Sequence, residues 1–296
     1  NIKKDDVILS VFMDLLLRFY VIALSKFKNV KSVFDFCEYP YAPGKDTILK
    51  KIKQWIEMRL LFRFFDGIIC ISEQLTNFTK KYKSKHAQIL KVPIMIDLNK
   101  NKDVQSYHSD IPYIFHAGTL TEKKDAILST LTAFSMAIKT IYFPIKFILA
   151  GEDYSCWEQI QSLIKKHKLE DSVLFLGNLK NEDVFPYWKG ASLAILNKND
   201  NIQNRYGFST KLGEILVSET AVITTTVGEA NYYLKDGESA YIVPPHHPEL
   251  IADKIIQAFI NVEERKRIAK KGREIAEKEF DCVYQGERIV MFLESL

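Results

Sequence analysis

The chain has little cysteine: four in 296 residues, Cys37, Cys70, Cys156 and Cys282, none at metal-binding spacing. That scatter excludes a disulfide scaffold or a zinc knuckle and fits thiols buried in a reducing cytoplasm. Long apolar runs are missing as well. The best, LLLRFYVIAL from Leu15, is short and broken by Arg18, so no membrane-spanning helix is expected. The opening NIKKDDVILS lacks both the basic-apolar-small layout of a secretory leader and an initiator methionine, which predicts residues upstream. Without a leader, the Asn77-Phe78-Thr79 sequon carries little weight. No internal repeat, low-complexity tract or metal cluster is visible. No nucleic-acid partner is expected, because the aromatics sit in apolar runs rather than alternating with basic residues.

What is present describes a chain well able to fold, with 47% hydrophobic and 26% charged residues. Its length exceeds one comfortable core, so two domains are expected. The net charge of +4 is uneven: residues 1–110 hold 19 Lys/Arg against 12 Asp/Glu (+7), and the remainder is −3. A basic first part suits either a solvated face or an anionic surface such as lipid headgroups. Strand-like and helix-like segments alternate, which predicts an α/β fold of parallel sheets with helices on both faces. The first part offers the strands DVILSV, VKSVFDF, GIICIS and QILKVPI, with helices near Leu15–Phe27, Asp46–Phe65 and Glu73–Tyr82. Asp97–Asp110 reads as a linker. The second part offers six strands, YIFHAG, FPIKFILAG, SVLFLGN, LAILN, AVITTT and AYIVPP, and a long helical tail from Pro248. Six strands match a complete doubly wound sheet; four predict either a small sheet or a first domain truncated at its N-terminus.

The basic segment Lys45–Phe65 is amphipathic. Ile52, Trp55, Leu60 and its phenylalanines suit insertion at a membrane interface while Lys50, Lys51, Lys53, Arg59 and Arg63 meet phosphates. A helix packed on its own sheet produces the same stripe.

Several corners fall directly after strands, where doubly wound sheets bind ligands. After YIFHAG, Gly118 permits a tight turn, and Lys123 or Lys124 can reach back to an anion. After SVLFLG, the backbone around Asn178 and Leu179 can read a planar base. The corner GFSTKLGE carries more. With Ser209 or Thr210 as N-cap, unpaired first-turn amides and the helix dipole favour an anion. Lys211 adds a mobile positive charge, and Glu214, one turn on, is a natural acceptor for two ribose hydroxyls. An ordinary i,i+3 ion pair between Lys211 and Glu214 is the plain alternative.

The run YIFHAGTLTEKKD…LAGED…SVLFLGNL…LAILN…YGFSTKLGEILVSETAVITTTVGEANYYLKDGESAYIVPP resembles the carboxy-terminal domain of retaining glycosyltransferases of family 4, the group 1 enzymes. The likeness covers Tyr113 to about Phe280 and extends loosely upstream through CEYPY, GIICISEQL and KVPIMID. It implies a GT-B fold, two Rossmann-like doubly wound domains facing a cleft. Residues 1–105 would form the acceptor-side domain, 111–280 the nucleotide-sugar domain and 281–296 a closing helix on the first domain. It also implies metal-independent, hexosyltransferase-type chemistry with no cofactor. The nucleotide-diphosphate sugar, UDP- or GDP-linked, is co-substrate, and a glycan or lipid-linked molecule the acceptor, as in cytoplasmic or peripheral-membrane polysaccharide biosynthesis.

Carried over by position, Lys124 matches the diphosphate lysine, Glu214 the ribose glutamate, Ser209, Thr210, Lys211 and Leu212 the diphosphate platform, and Gly177, Asn178 and Leu179 the base segment. Two positions depart. The family's diphosphate arginine falls at Thr119, for which Lys211 is the candidate replacement, and its first paired glutamate falls at Tyr206. Asn204 and Gln203 are then candidates for sugar contacts. The family's glycine-rich loop after its first strand has no counterpart. Glu38, in CEYPY, occupies the neighbourhood of a sugar- or acceptor-contacting residue and is a catalytic candidate beside Lys124 and Lys211. His116 is read as structural or cleft-facing, and His246 and His247 as solvent-facing. Two alternatives stand beside this reading: a GT-B sugar-nucleotide 2-epimerase, and a non-catalytic nucleotide-binding partner subunit.

Overall fold

The computed structural model describes residues 2–11, 14–39, 47–151 and 154–296. Pro40 and Tyr41 of CEYPY, Lys45 and Asp46 of the basic segment, and Glu152 and Asp153 of LAGED lie outside the described residues. The chain divides into two compact units. Unit 1 comprises Asn1–Ile94, Asn201–Phe208 and Cys282–Leu296; unit 2 comprises Met95–Asp200 and Ser209–Asp281.

Unit 1 holds a parallel sheet of β1 (Val7–Val11), β2 (Lys31–Phe36), β3 (Gly67–Cys70) and β4 (Gln88–Lys91), paired in that order. Val33 lies opposite Gly67, and Cys70 opposite Lys91. The helix Leu15–Lys28 starts where Asp14 accepts from the Leu17 amide at 2.9 Å. It ends where Asn29 turns left-handed at φ 53°, sending its N–H back to Lys26 and Ser25. One face of the sheet carries Phe34, Phe36, Phe62 and Phe65, all buried; the Phe34–Phe65 and Phe36–Phe62 centroids are 5.3 and 5.1 Å apart. Burying each ring contributes roughly 1.5–3 kcal/mol. On the other face Phe292, from the helix Cys282–Glu294, packs with Val33, Ile69 and Val92.

The basic segment departs from the expected single helix. An α-helix runs only over Ile48–Trp55, followed by a π-turn (Ile56–Leu60) and a 3-10 turn (Leu61–Phe64). The wider turn re-aims the side chains, so Phe62 and Phe65 join Leu61 in the core and are withdrawn from the expected membrane face, Leu60 is half-buried, and Phe64 stays exposed. The first half differs: Ile48, Leu49, Ile52 and Trp55 stay exposed, and none of that helix's residues is buried.

Unit 2 holds six parallel strands, β5 (Tyr113–Gly118), β6 (Lys146–Gly151), β7 (Val173–Phe175), β8 (Leu193–Leu196), β9 (Val222–Thr225) and β10 (Tyr241–Val243). Their order is β10-β9-β8-β5-β6-β7. The central strands β5 and β8 are buried almost throughout, as a parallel sheet covered on both faces requires. Phe134 and Phe147 meet at 5.3 Å within a core that also takes Leu131, Ile160, Ile195, Ile255 and Ile268. The helical tail is two helices, Pro248–Ile260 and Val262–Glu279. Asn261 leaves helical geometry between them (φ −100°, ψ 72°), and Arg265 caps the first by donating to the Ala258 carbonyl at 2.8 Å. The four cysteines form no disulfide; Cys70 and Cys156 are buried, Cys37 and Cys282 half-buried. Among the described residues no helix is long and apolar enough to cross a membrane.

Candidate functional site

The strand order of unit 2 reverses between β5 and β8: the chain lays β6 and β7 on one side of β5, then returns to place β8 on the other. Ligands of open α/β sheets bind outside the carboxyl ends of the strands at such a reversal. The loops leaving β5 and β8 there build an ionic cluster.

Leaving β5, Gly118 is followed by Thr119 and then by Leu120, a buried residue held left-handed at φ 50°. Thr121 caps the one-turn helix Glu122–Asp125, accepting from the Lys124 amide at 3.1 Å. Ala126, also left-handed (φ 44°), ends that turn. The result is that Asp125 points inward and is 1% exposed, while its neighbours Lys123 and Lys124 are exposed.

Asp125 gathers groups from three further places in the sequence. Its Oδ1 accepts from Lys198 Nζ at 2.6 Å, and its Oδ2 from Lys211 Nζ at 3.3 Å. The Thr119 amide and hydroxyl each donate to Oδ2 at 3.2 Å. Burial alone would raise this carboxyl, but Lys198, with His116 and Lys211 after it, outweighs burial and holds it well below the ordinary carboxylate range. The arrangement is one carboxylate between two lysine amino groups.

His116, on β5, packs against the same carboxylate without bonding to it, with Nε2 3.9 Å from Asp125 Oδ2. Its Nδ1 lies 2.8 Å from the Ile195 carbonyl, which can only accept, so Nδ1 carries the proton and Nε2 is bare. Burial pushes its pKa down to about 4, against the opposing pull of Asp125, and the ring is neutral near pH 7. With His116 neutral, the groups in direct contact are one carboxylate and two ammonium groups, and the Glu214 carboxylate acts on Lys211 from one turn on.

The third element is the helix Thr210–Val217, whose inner face buries Leu212, Gly213, Ile215, Leu216 and Val217. Ser209 is its N-cap residue, but its side chain makes no capping bond. The first turn closes through Leu212 N–H to the Ser209 carbonyl at 3.1 Å. Among the described residues the amides of Thr210 and Lys211 have no acceptor. Unpaired amides at the positive end of a helix dipole attract an anion.

Lys211 is not the mobile charge the sequence suggests. It is tethered to Asp125, 86 positions away, rather than paired with Glu214 one turn on, so the plain i,i+3 reading fails. Burial lowers its pKa, and Asp125 opposes the shift. Glu214 is half-buried, and burial raises its carboxyl; the Trp188 indole N–H, Lys211 and Lys100 favour its ionised form. The indole nitrogen is near enough to act on that carboxyl yet does not reach full hydrogen-bond geometry. Gly118 leaves room for this cluster, because a Cβ there would displace Lys211 Nζ and lie 2.5 Å from Asp125 Oδ2. The neighbouring edge is equally tight: a Cβ on Gly151 would collide with the Gly118 carbonyl, and the Gly151 amide donates to the Gly177 carbonyl at 2.8 Å. The turn of Gly177, half-buried with φ 71°, leads into exposed Asn178 and half-buried Leu179.

The structure therefore joins Gly118, Thr119 and Lys211 in one cluster with Asp125, Lys198 and His116. Asn204 and Tyr206 belong to unit 1. There the Asn204 amide donates to Asn201 Oδ1 at 2.9 Å, capping the short helix Ile202–Tyr206. The Tyr206 ring packs on Tyr39 and Phe78, with centroids 4.9 and 6.3 Å away, and its carbonyl accepts from Ser72 Oγ at 2.7 Å. Glu38, also of unit 1, is exposed just after β2. His246 and His247 are exposed, and His247 Nδ1 lies 2.6 Å from Glu249 Oε1. Sequence reasoning passed over Asp125 and Lys198. The available signals were an acid directly after Lys123-Lys124 and a lysine just beyond the apolar LAIL strand.

The family model described as glycosyl transferases group 1 matches residues 99–275. An uncharacterised glycosyltransferase of Methanocaldococcus jannaschii is 24% identical over 254 residues, covering 84% of this chain and 64% of that protein. The chain thus spans less than two thirds of that relative's length. Among solved structures, Anabaena HepE in complex with UDP superposes with a TM-score of 0.81 at 17% identity, covering 98% of this chain and 79% of that one. HepE has also been solved with UDP-glucose. A glycosyltransferase from Rickettsia africae gives 0.78 at 15% identity, covering 98% and 76%.

Proposed function

The chain belongs to the group 1 glycosyl transferases and has the GT-B fold, and from that premise we propose that it is a retaining, hexosyltransferase-type glycosyltransferase. It transfers a sugar from a UDP- or GDP-linked donor to a glycan or lipid-linked acceptor without a metal. The observation that carries this reading is the cationic cluster at the sheet reversal. Lys211 and Lys198 share one carboxylate, leaving net positive charge beside unpaired helix amides. A diphosphate supplies the anion this arrangement lacks, and Glu214 on the same helix is an acceptor for ribose hydroxyls. As the bond from sugar to phosphate breaks, negative charge grows on the leaving diphosphate. Donors already aimed at it stabilise the transition state more than the ground state. The UDP and UDP-glucose complexes of HepE support a nucleotide-sugar donor.

A thermal-shift screen over UDP, GDP, ADP and their sugars tests the assignment. A ligand present at a hundred times its Kd stabilises the native state by about 2.7 kcal/mol, so UDP or GDP should raise the melting temperature clearly. No rise with any of them would overturn the donor site. Donor incubated alone should release no epimerised nucleotide sugar; an epimerised product would favour the 2-epimerase reading.

A second observation supports a peripheral position on the inner face of an anionic membrane. Ile48, Leu49, Ile52 and Trp55 are exposed on one short helix that also carries Lys50, Lys51 and Lys53, a composition suited to an interfacial helix. Co-sedimentation with phosphatidylserine vesicles should be strong at low salt and fall at high salt. Protein left wholly in the supernatant at low salt would remove this reading.

A further inference from the structure

We propose that Lys198 is a second diphosphate-binding group, poised beside Lys211 by the buried carboxylate of Asp125; this rests on the donor-site reading above. Three observations point to it. Lys198 lies two residues beyond the end of β8, while Gly118 ends β5 and Thr119 follows it, so Lys198 stands on the other lip of the strand-order reversal. Its backbone is fixed there: its N–H donates to Thr225 Oγ1 at 3.3 Å, and the same hydroxyl donates to its carbonyl at 3.0 Å. Finally, the groups in direct contact do not balance, the Glu214 carboxylate acting on Lys211 only from one turn away. One carboxylate, already accepting twice from Thr119, faces two ammonium groups, and the adjacent imidazole is neutral.

A partly buried excess ammonium is costly unless an anion completes it. Both lysine side chains keep a way to solvent, at 17% and 27% exposure, whereas Asp125 is sealed. The missing anion must therefore approach from the lysine side. Two ammonium groups flanking a single carboxylate suit a diphosphate, whose second phosphate brings charge and acceptor oxygens that a monophosphate lacks. Asp125 thus acts as a positioning residue: it holds both cations at the reversal and touches no ligand itself.

The prediction is selective for the second phosphate. Calorimetry would compare UDP with UMP, and GDP with GMP, on wild type, Lys198→Gln and Lys198→Arg. Lys198→Gln should weaken diphosphate binding about tenfold or more, the worth of one hydrogen bond to a charged group, while monophosphate binding stays within about twofold. Lys198→Arg should restore most of the loss. Wild-type diphosphate affinity in Lys198→Gln, or an equal loss for both ligands, would overturn the assignment while leaving the donor-site reading intact. If wild type binds neither diphosphate, the donor-site reading fails and this inference with it. Lys198→Met keeps the side chain's length and serves if the glutamine variant does not fold. Failure of both to fold would mark Lys198 as a structural partner of Asp125 and reject the binding role.

Discussion

Lys211→Ala is expected to slow sugar transfer about a hundredfold, the usual consequence of removing one donor aimed at developing charge. In the unliganded protein Lys211 is the more weakly held of the two lysines, at 3.3 Å from Asp125 against 2.6 Å for Lys198. It sits in the first turn of the helix whose amides lack acceptors. When a diphosphate arrives, Lys211 can turn from Asp125 to it, while Lys198 keeps one N–H on Asp125 and offers another to the ligand. Its attraction grows as the leaving group gains charge, so the loss should fall mainly on kcat, with KM for the donor changing less. Steady-state rates at saturating donor give the answer. The fold should survive, because Asp125 retains Lys198 and both Thr119 donors. Turnover within a few-fold of wild type would remove Lys211 from the chemistry.

Asp125→Ala should damage stability more than any other change in the cluster. The carboxylate is the common counter-charge of Lys198 and Lys211 and the acceptor for the Thr119 amide and hydroxyl. Removing one partner of a buried pair costs about 3–5 kcal/mol, because the charge left behind has no compensation. The low end, about 3 kcal/mol, applies because both ammonium groups retain some contact with water. For a unit of this size that corresponds to a fall of about 6–12 °C in Tm. Urea unfolding of Asp125→Ala and Asp125→Asn would measure it, with asparagine the milder because it keeps an acceptor oxygen for Thr119. A loss below about 1 kcal/mol in the alanine variant would mean that the two lysines do not depend on this carboxylate.

Much of the architecture was legible in the sequence because its signals are local. Short, largely apolar runs between turn residues mark the ten strands of the described residues. The helix Glu73–Tyr82 begins after Ser72, whose hydroxyl accepts from the Leu75 amide, and such caps are visible in sequence. The basic segment was harder. Its stripe of apolar residues is continuous in sequence, yet the π-turn at Ile56–Leu60 splits it into an exposed half and a core half, and that rotation is fixed by packing against Phe34 and Phe36.

For the site, the sequence determined the pieces that need only neighbours: the Ser209 cap position, the amide-bearing first turn, and Lys211 within it. Tertiary structure alone decided what those pieces meet. Nothing in the order Lys123-Lys124-Asp125 says which side chain turns inward; the left-handed residues Leu120 and Ala126 on either side settle it. Asp125 then joins Lys198 across 73 positions and Lys211 across 86, because the strand order puts the ends of β5 and β8 side by side. Periodicity and capping act over a few residues, whereas the partners of a buried charge are chosen by the sheet. A local reading therefore offered Lys211 a bound anion or, as the plain alternative, Glu214, and the fold tied it to Asp125.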